Sequence, residues 1–371
     1  MRKNVKDSSL KLLRDLLSLP TAPFHEHEII TYIEKWAERK KIRVTQDRTG
    51  NVILKYKRGK SLKNKWVFHA HMDHPGFVTL EQKGRIVRAQ FLGGVRREYF
   101  KNAFVRFFTP DGEITGKIKR TYRLKGHEFL RCEVRLSRTV CVPDGTIGMW
   151  NFPAWKRKGN RLFARSCDDV AGTAVALAAI ELLHAAKAKT DLTVLLTRAE
   201  EIGFVSGQDS CKAGTIPEKS LLIGIEASRA QPSAMPGDGA VIRVGDSLRN
   251  FDPSLTMFIT GIAGKLAKRK KSFKYVRSLM PGGSTETTGF MMFGCTAAAI
   301  CLPLLNYHNM NENGRLAPEG IDLNDFQNAV NLLCETAQSG RTPRDADRLL
   351  KLEYQKRLKA MKPLLRRKPR R

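Results

Sequence analysis

The stretch "WVFHAHMDHPGF", residues 66–77, decides how the chain is read. An apolar run, Trp66-Val67-Phe68, gives way to His69, His71, Asp73 and His74. The chain holds only 8 histidines, and three of them fall here. Either a buried strand delivers ligands to the edge of a sheet, or a strand happens to carry histidines. What else reaches that edge separates the two readings.

Upstream, "EHEIITYIEKWAERKK" (26–41) places Ile29, Ile30, Ile33 and Trp36 at helical spacing. "NVILKYK" (51–57) reads as a strand. The first twenty residues read as an amphipathic helix rather than a signal peptide, for they lack an apolar core and a cleavage site. Downstream, from about 76 to 160, short β-like runs such as "RIVRAQF", "AFVRFF" and "EFLRCEVRL" alternate with Gly, Pro and Asp. That is the texture of a small all-β domain. After 160 the pattern alternates. "VAGTAVALAAIELLHAA" (170–186) is a helix apolar nearly all round, so buried. "DLTVLLT", "SLLIGIE", "GAVIRVG", "FKYVRSL" and "TAAAICL" read as strands, and 252–271 and 322–340 as helices with start and stop signals. The expectation is an α/β fold: a mixed, mostly parallel sheet covered by helices on both faces, with a small all-β domain inserted. The α/β domain spans 1–75 and 161–342, the β-rich insert 76–160, and a basic helix and tail 343–371.

Length, at 371 residues, permits two or three domains and a large core. The 7 cysteines are odd in number and lack CxxC spacing. Neither a disulfide framework nor a thiolate zinc site is expected, and the setting is expected to be reducing and cytoplasmic. No apolar run reaches the length of a membrane span, so no membrane partner is expected. Lys and Arg number 66 against 36 Asp and Glu, a net charge of +30. Such a balance raises nucleic acid as a partner. The basic residues are scattered, however, and no zinc finger, RNP-type motif or helix-turn-helix accompanies them, so specific nucleic-acid binding is not expected.

Four further places break apolar runs with acid or histidine: "RSCDDVAG" (165–172), "LLTRAEEIGF" (195–204), "LLIGIEAS" (221–228) and "PLLNYHNMNENG" (303–314). Each has a plain reading alone. Aspartate at a helix start is a routine cap, adjacent glutamates suit a solvated loop, and a lone histidine is usually satisfied locally. Together they say more. His71, Glu200, Glu201, Glu226 and His308 each follow a strand-like run, and Asp168 and Asp169 open a helix. In α/β sheets these positions share the edge where ligands bind. Carboxylates gathered there repel, and cations remove the penalty. Imidazole with carboxylate suits Zn, Co or Mn, and the lack of Cys ligands argues against a structural zinc.

In motif order the chain resembles the glutamyl and tetrahedral (TET-type) aminopeptidases, co-catalytic di-metal peptidases, over about residues 10–340. His-x-Asp, Asp-Asp, Glu-Glu-x-Gly, an acidic strand end and a late His occur in the family's sequence. The 168 − 71 = 97 residues between His71 and Asp168 match the family's placement of a β-rich domain. The resemblance implies two divalent ions, zinc first, with cobalt or manganese as alternatives. His71 and Glu226 would hold one, His308 and Glu201 the other, and Asp168 would bridge them. Asp73 would orient His71. Glu200 would be the general base that takes a proton from a water between the ions. His74 stands where the family commonly has Glu, Val170 where it has Arg, and Glu226 where it has Asp. "GGSTETTG" (282–289) matches a family stretch only loosely, and no catalytic role falls to Glu286. His69 points to the same side of its strand as His71 and is an alternative ligand or a neighbour. His74 is a candidate for substrate choice, and Cys167 a packed side chain.

The expected function is therefore a metal-dependent aminopeptidase acting on peptides, in a dimer or larger homo-oligomer. Two alternatives stand beside it. One is a di-metal amidohydrolase acting on another amide, such as an N-acyl amino acid. The other is a non-catalytic basic binding protein on the same fold.

Overall fold

The computed structural model describes residues 2–60 and 62–365. Helices α1 (Arg2–Ser18) and α2 (His27–Lys40) precede strands β1 (Arg43–Gln46), β2 (Val52–Arg58) and β3 (Trp66–His71). Then come β4 (Gly76–Lys83), β5 (Ile86–Leu92), β6 (Phe104–Thr109), β7 (Gly112–Tyr122), β8 (Leu130–Leu136) and β9 (Ile147–Trp150). A hairpin of β10 (Lys156–Lys158) and β11 (Arg161–Ala164) leads into α3 (Val170–Ala185). β12 (Thr190–Thr197), α4 (Val205–Lys212), β13 (Leu221–Arg229), β14 (Ala240–Arg243), α5 (Pro253–Arg269) and β15 (Tyr275–Ser278) follow. The chain continues through α6 (Glu286–Met292), β16 (Thr296–Leu304), β17 (Glu319–Asp322), α7 (Leu323–Ala337) and α8 (Pro343–Leu365).

Eight strands form the main sheet in the order β1-β2-β12-β3-β13-β16-β14-β15. Its centre, β12-β3-β13-β16, is parallel throughout. Antiparallel pairs flank that centre, at β1–β2, β2–β12 and β14–β16. Alternate side chains serve two layers. Trp66, Phe68 and Ala70 of β3, with Leu192, Val194 and Leu196 of β12, face the large core shared with α1, α2, α3, α5 and α7. Val67, Leu195 and Leu222 face the other way, against Phe290 of α6. This is the expected α/β sheet covered on both faces. The second cover is thin, because α4 and α6 are short.

α3 is buried on nearly every side because it is apolar on nearly every side. Its start is fixed by Asp169, whose Oδ1 accepts the Gly172 N–H at 3.1 Å.

The strands from β4 to β9 close into a six-stranded barrel in the order β4-β5-β8-β7-β6-β9. Its interior holds Phe77, Phe91, Phe100, Phe107 and Trp150, with Phe77 edge-on to Trp150 at 4.8 Å. The chain leaves the barrel through the β10–β11 hairpin. β11 pairs antiparallel with β17, setting Ala164 opposite Glu319. That pairing ties the segment leading to Asp168 to the segment following His308.

Candidate metal centre

The four central parallel strands each deliver one part of the site at their C-terminal ends. β3 ends at His71. β12 ends at Thr197 and turns through Ala199, in left-handed backbone at φ 52°, into a 3-10 turn that carries Glu200 and Glu201. β13 carries Glu226. β16 runs out to a second 3-10 turn with His308, also left-handed at φ 53°. Asp168 precedes α3, across a cis peptide bond to Asp169.

The histidines sit on either side of one carboxylate. His71 Nε2 is 3.5 Å from Asp168 Oδ1, and His308 Nε2 is 3.4 Å from Asp168 Oδ2. His71 Nε2 is also 3.5 Å from Glu226 Oε1 and 3.8 Å from Glu200 Oε2. His308 Nε2 is 3.1 Å from Glu201 Oε2. All seven of the residues expected at the site, His71, Asp73, Asp168, Glu200, Glu201, Glu226 and His308, are brought together. Most are almost wholly buried.

The other ring nitrogens are committed elsewhere. His308 Nδ1 lies 2.8 Å from the Gly94 carbonyl, so Nδ1 carries the proton and Nε2 keeps its lone pair. Gly94 follows β5, so the barrel supplies the group that orients His308. His71 Nδ1 is 3.2 Å from the Asp73 carbonyl and 3.4 Å from its carboxylate. Its Nε2 is likewise left free to bind. The Asp73 carboxylate in turn accepts the Glu200 N–H at 3.0 Å and the Glu201 N–H at 3.1 Å.

These residues fit a pair of divalent cations. Asp168 Oδ1, Asp169 Oδ2, Glu201 Oε1 and His308 Nε2 are buried without a hydrogen-bond partner among the described residues. Three overlapping sets, His71-Asp168-Glu201, His71-Glu200-Glu226 and Asp168-Asp169-Glu226, have donors within 4.8 Å of one another. Two donors about 2.0–2.1 Å from one tetrahedral ion stand about 3.3–3.4 Å apart, close to the separations seen. The electrostatics agree. Burial alone would lower His71 and His308, yet the surrounding carboxylates raise both well above the usual histidine value. Burial, with Asp168 adding to it, pushes Glu226 up to about 8. Burial and Glu226 likewise hold Asp169 well above the carboxylate range. A cluster that takes up protons in this way is short of positive charge, and cations supply it.

Residues 137–332, just over half of the chain, match the model of the M42 glutamyl aminopeptidase family. The chain belongs to that family. A member of the family is expected to share its fold, and the likenesses among solved structures agree. An aminopeptidase from the archaeon Desulfurococcus kamchatkensis superposes with a TM-score of 0.76 at 22% identity, covering 92% of this chain and 97% of that one. The TET1 peptidase of Pyrococcus horikoshii, which can assemble into a tetrahedron or a large octahedral shell, gives 0.70 at 18% identity, over 89% and 99%. YhfE of Bacillus subtilis strain 168, provisionally named an aminopeptidase, is 24% identical over 219 residues, which is 53% of this chain and 63% of that relative.

His74, the candidate for substrate choice, does not line the crevice. It is fully buried, with Nδ1 2.5 Å from the Asp168 carbonyl and Nε2 3.1 Å from Asn309 Oδ1. It ties the segment of Asp168 to that of Asn309. His69 is not among the ligand groups either. It lies 3.5 Å from Glu286 and 3.4 Å from Thr287 Oγ1, behind the site.

Two carboxylates were not singled out in the sequence. Glu319 is wholly buried. Its Oε2 accepts the Cys167 and Asp168 N–H groups at 2.6 and 3.0 Å, and its Oε1 accepts that of His308 at 2.8 Å. Glu26, also wholly buried, accepts the Ala199 N–H at 3.0 Å and pairs with Arg198 at 2.7 Å, fixing the turn into Glu200. The only signal for either was an acid beside a short apolar run. Beside Glu226 opens a crevice lined by Arg229, Arg243, Gly282, Gly283 and Tyr307.

Proposed function

We propose that this chain is a metal-dependent aminopeptidase that removes N-terminal residues from peptides. The observation that carries the reading is the single carboxylate of Asp168 set between two histidine Nε2 atoms, at 3.5 and 3.4 Å. Each histidine has a further carboxylate beside it, Glu226 for His71 and Glu201 for His308. His71, Asp168 and Glu226 would hold one ion, and His308, Asp168 and Glu201 the other. Zinc suits this mix of imidazole and carboxylate, and cobalt or manganese accept the same donors.

Bound there, the two ions would supply Lewis acidity to the scissile carbonyl and acidify the attacking water. The chain's own residues do the rest. Glu200 belongs to neither histidine–carboxylate pair and takes the proton from the attacking water, then passes it to the leaving amine. Burial raises its carboxyl well above the usual range; His71 opposes that rise, while Glu226, Glu201 and Glu286 reinforce it. Asp73 holds the backbone of Glu200 and Glu201 and the ring of His71 in one frame. The crevice at Arg229 and Tyr307 is where a substrate side chain would enter.

We propose a homo-oligomer for this chain too, by analogy with the Pyrococcus horikoshii peptidase. At +30 per chain, counterions or acidic patches must lie at the contacts. A cytoplasmic setting fits the seven unpaired cysteines.

Two variants test the assignment. Glu200→Gln is expected to keep both ions and lose about 10²- to 10⁴-fold in kcat. Asp168→Ala is expected to lose metal. Metal analysis alongside the rate on an aminoacyl amide reads both. Full activity in Glu200→Gln would show that another group is the base.

A further inference from the structure

Among the described residues, helix α8 is anchored only at its start. Pro343 is buried, Ala346 packs against the main core, and Ser254 Oγ donates to Asp347 Oδ2 at 2.6 Å. From Asp347 to Leu365 every residue is exposed. At 1.5 Å per residue that is an arm of about 28 Å.

The arm has two faces. Leu350, Tyr354, Leu358, Met361 and Leu365 recur at helical spacing along one stripe. They are exposed by 47, 64, 57, 48 and 75%, so the stripe is open along its length. Roughly a quarter-turn away run Arg344, Arg348, Lys351, Lys359 and Lys362. Pro343–Leu365 contains seven Lys and Arg against three Asp and Glu, or 7 − 3 = +4. The sequence after it reads "RRKPRR". The helix lies outside the 137–332 span matched by the family model.

A continuous stripe of large apolar side chains calls for a cover, and the charge beside it selects one. A second copy would set +4 against +4 along the same seam. RNA would answer the cations and leave the leucines in water. An anionic bilayer answers both, because the leucines enter the acyl boundary while Lys and Arg reach the headgroup phosphates. We propose that α8 docks the protein on an anionic lipid surface. It lies in the interface and does not cross it, since no helix among the described residues is long and apolar enough to span a membrane.

The test is co-sedimentation of the full chain with vesicles of phosphatidylcholine alone and of phosphatidylcholine mixed with phosphatidylglycerol. A short RNA forms the comparison arm. Pelleting is expected with the phosphatidylglycerol vesicles only, falling as salt is raised. The triple variant Leu350→Asp, Leu358→Asp, Met361→Asp should lose at least about tenfold in vesicle affinity. It should keep the wild-type thermal midpoint to within a few degrees, because all three side chains lie on the exposed arm and none belongs to the buried core. Failure to pellet with anionic vesicles overturns the proposal. So does equal binding to both vesicle types, or vesicle binding that the triple variant leaves intact. RNA binding without vesicle binding, or a triple variant that changes only the oligomer mass, assigns the helix to another partner and overturns it as well.

Discussion

Glu319 accepts three backbone N–H groups with two oxygens, and two of the donors belong to Asp168 and His308. One carboxylate thereby fixes the backbone of Asp168 against that of His308. Glutamine cannot replace it, because its amide nitrogen would face a backbone donor. Glu319→Gln is expected to weaken zinc binding about 10- to 100-fold. It should also cost about 1–3 kcal/mol of stability. Competitive chelator titration and thermal unfolding check the two effects, and unchanged metal affinity would remove Glu319 from this role. His71, Glu226 and His308 were legible as a set, because each lies in or after an apolar run and all reach one edge of the sheet. Glu319, Glu26 and the bracing role of His74 were not. They serve backbone groups far away in sequence, and pattern does not register that.

At the scale of elements, the centre of the sheet does the positioning, and its tolerances are tight. Gly224 of β13 sits where an added Cβ would meet Thr287 Oγ1 and the His69 ring. Gly224→Ala is therefore expected to push α6 from the sheet and cost about 1–3 kcal/mol, read by thermal unfolding. A neutral result would mean that Thr287 and His69 can yield room for a methyl group. At the start of α7, Asp325 accepts the Gly237 and Gly239 N–H groups at 2.6 and 2.8 Å, yet burial pushes its carboxyl up to about 7. A raised carboxyl stabilises the fold fully below its unfolded value near 3.8. That contribution declines as pH rises toward 7, on the order of 1 kcal/mol per unit. The stability gap between wild type and Asp325→Ala should thus shrink from pH 5 to pH 7.5, and a widening gap would reverse the sign. The longer sheet strands and the long helices were readable because periodicity and length agree with packing, whereas the four-residue edge strand β1 was not. The β10–β11 hairpin and β17 were not, since strands of three or four residues carry no period. It is that small sheet, however, that brings Glu319 to Asp168.

For the whole molecule, two charge distributions oppose each other. The surface carries the excess that gives +30, while the crevice gathers carboxylates. Surface repulsion is screened by salt, with a Debye length near 10 Å at 0.1 M and about 3 Å at 1 M. Thermal stability should accordingly rise between low and high salt, and a fall would mean that surface ion pairs outweigh the repulsion. The buried cluster answers to cations. Chelation should lower Tm, and zinc should restore it. The central claim is that two ions at this cluster make the chain an aminopeptidase. The measurement that tests it most directly is zinc titration of chelator-treated protein, followed by hydrolysis of aminoacyl amides with free and with N-acetylated amines. Activity on the free-amine substrates should appear as two equivalents of zinc bind per chain, while the acetylated substrates stay intact. Hydrolysis of the acetylated amides alone, or no hydrolysis at two bound equivalents, would contradict it.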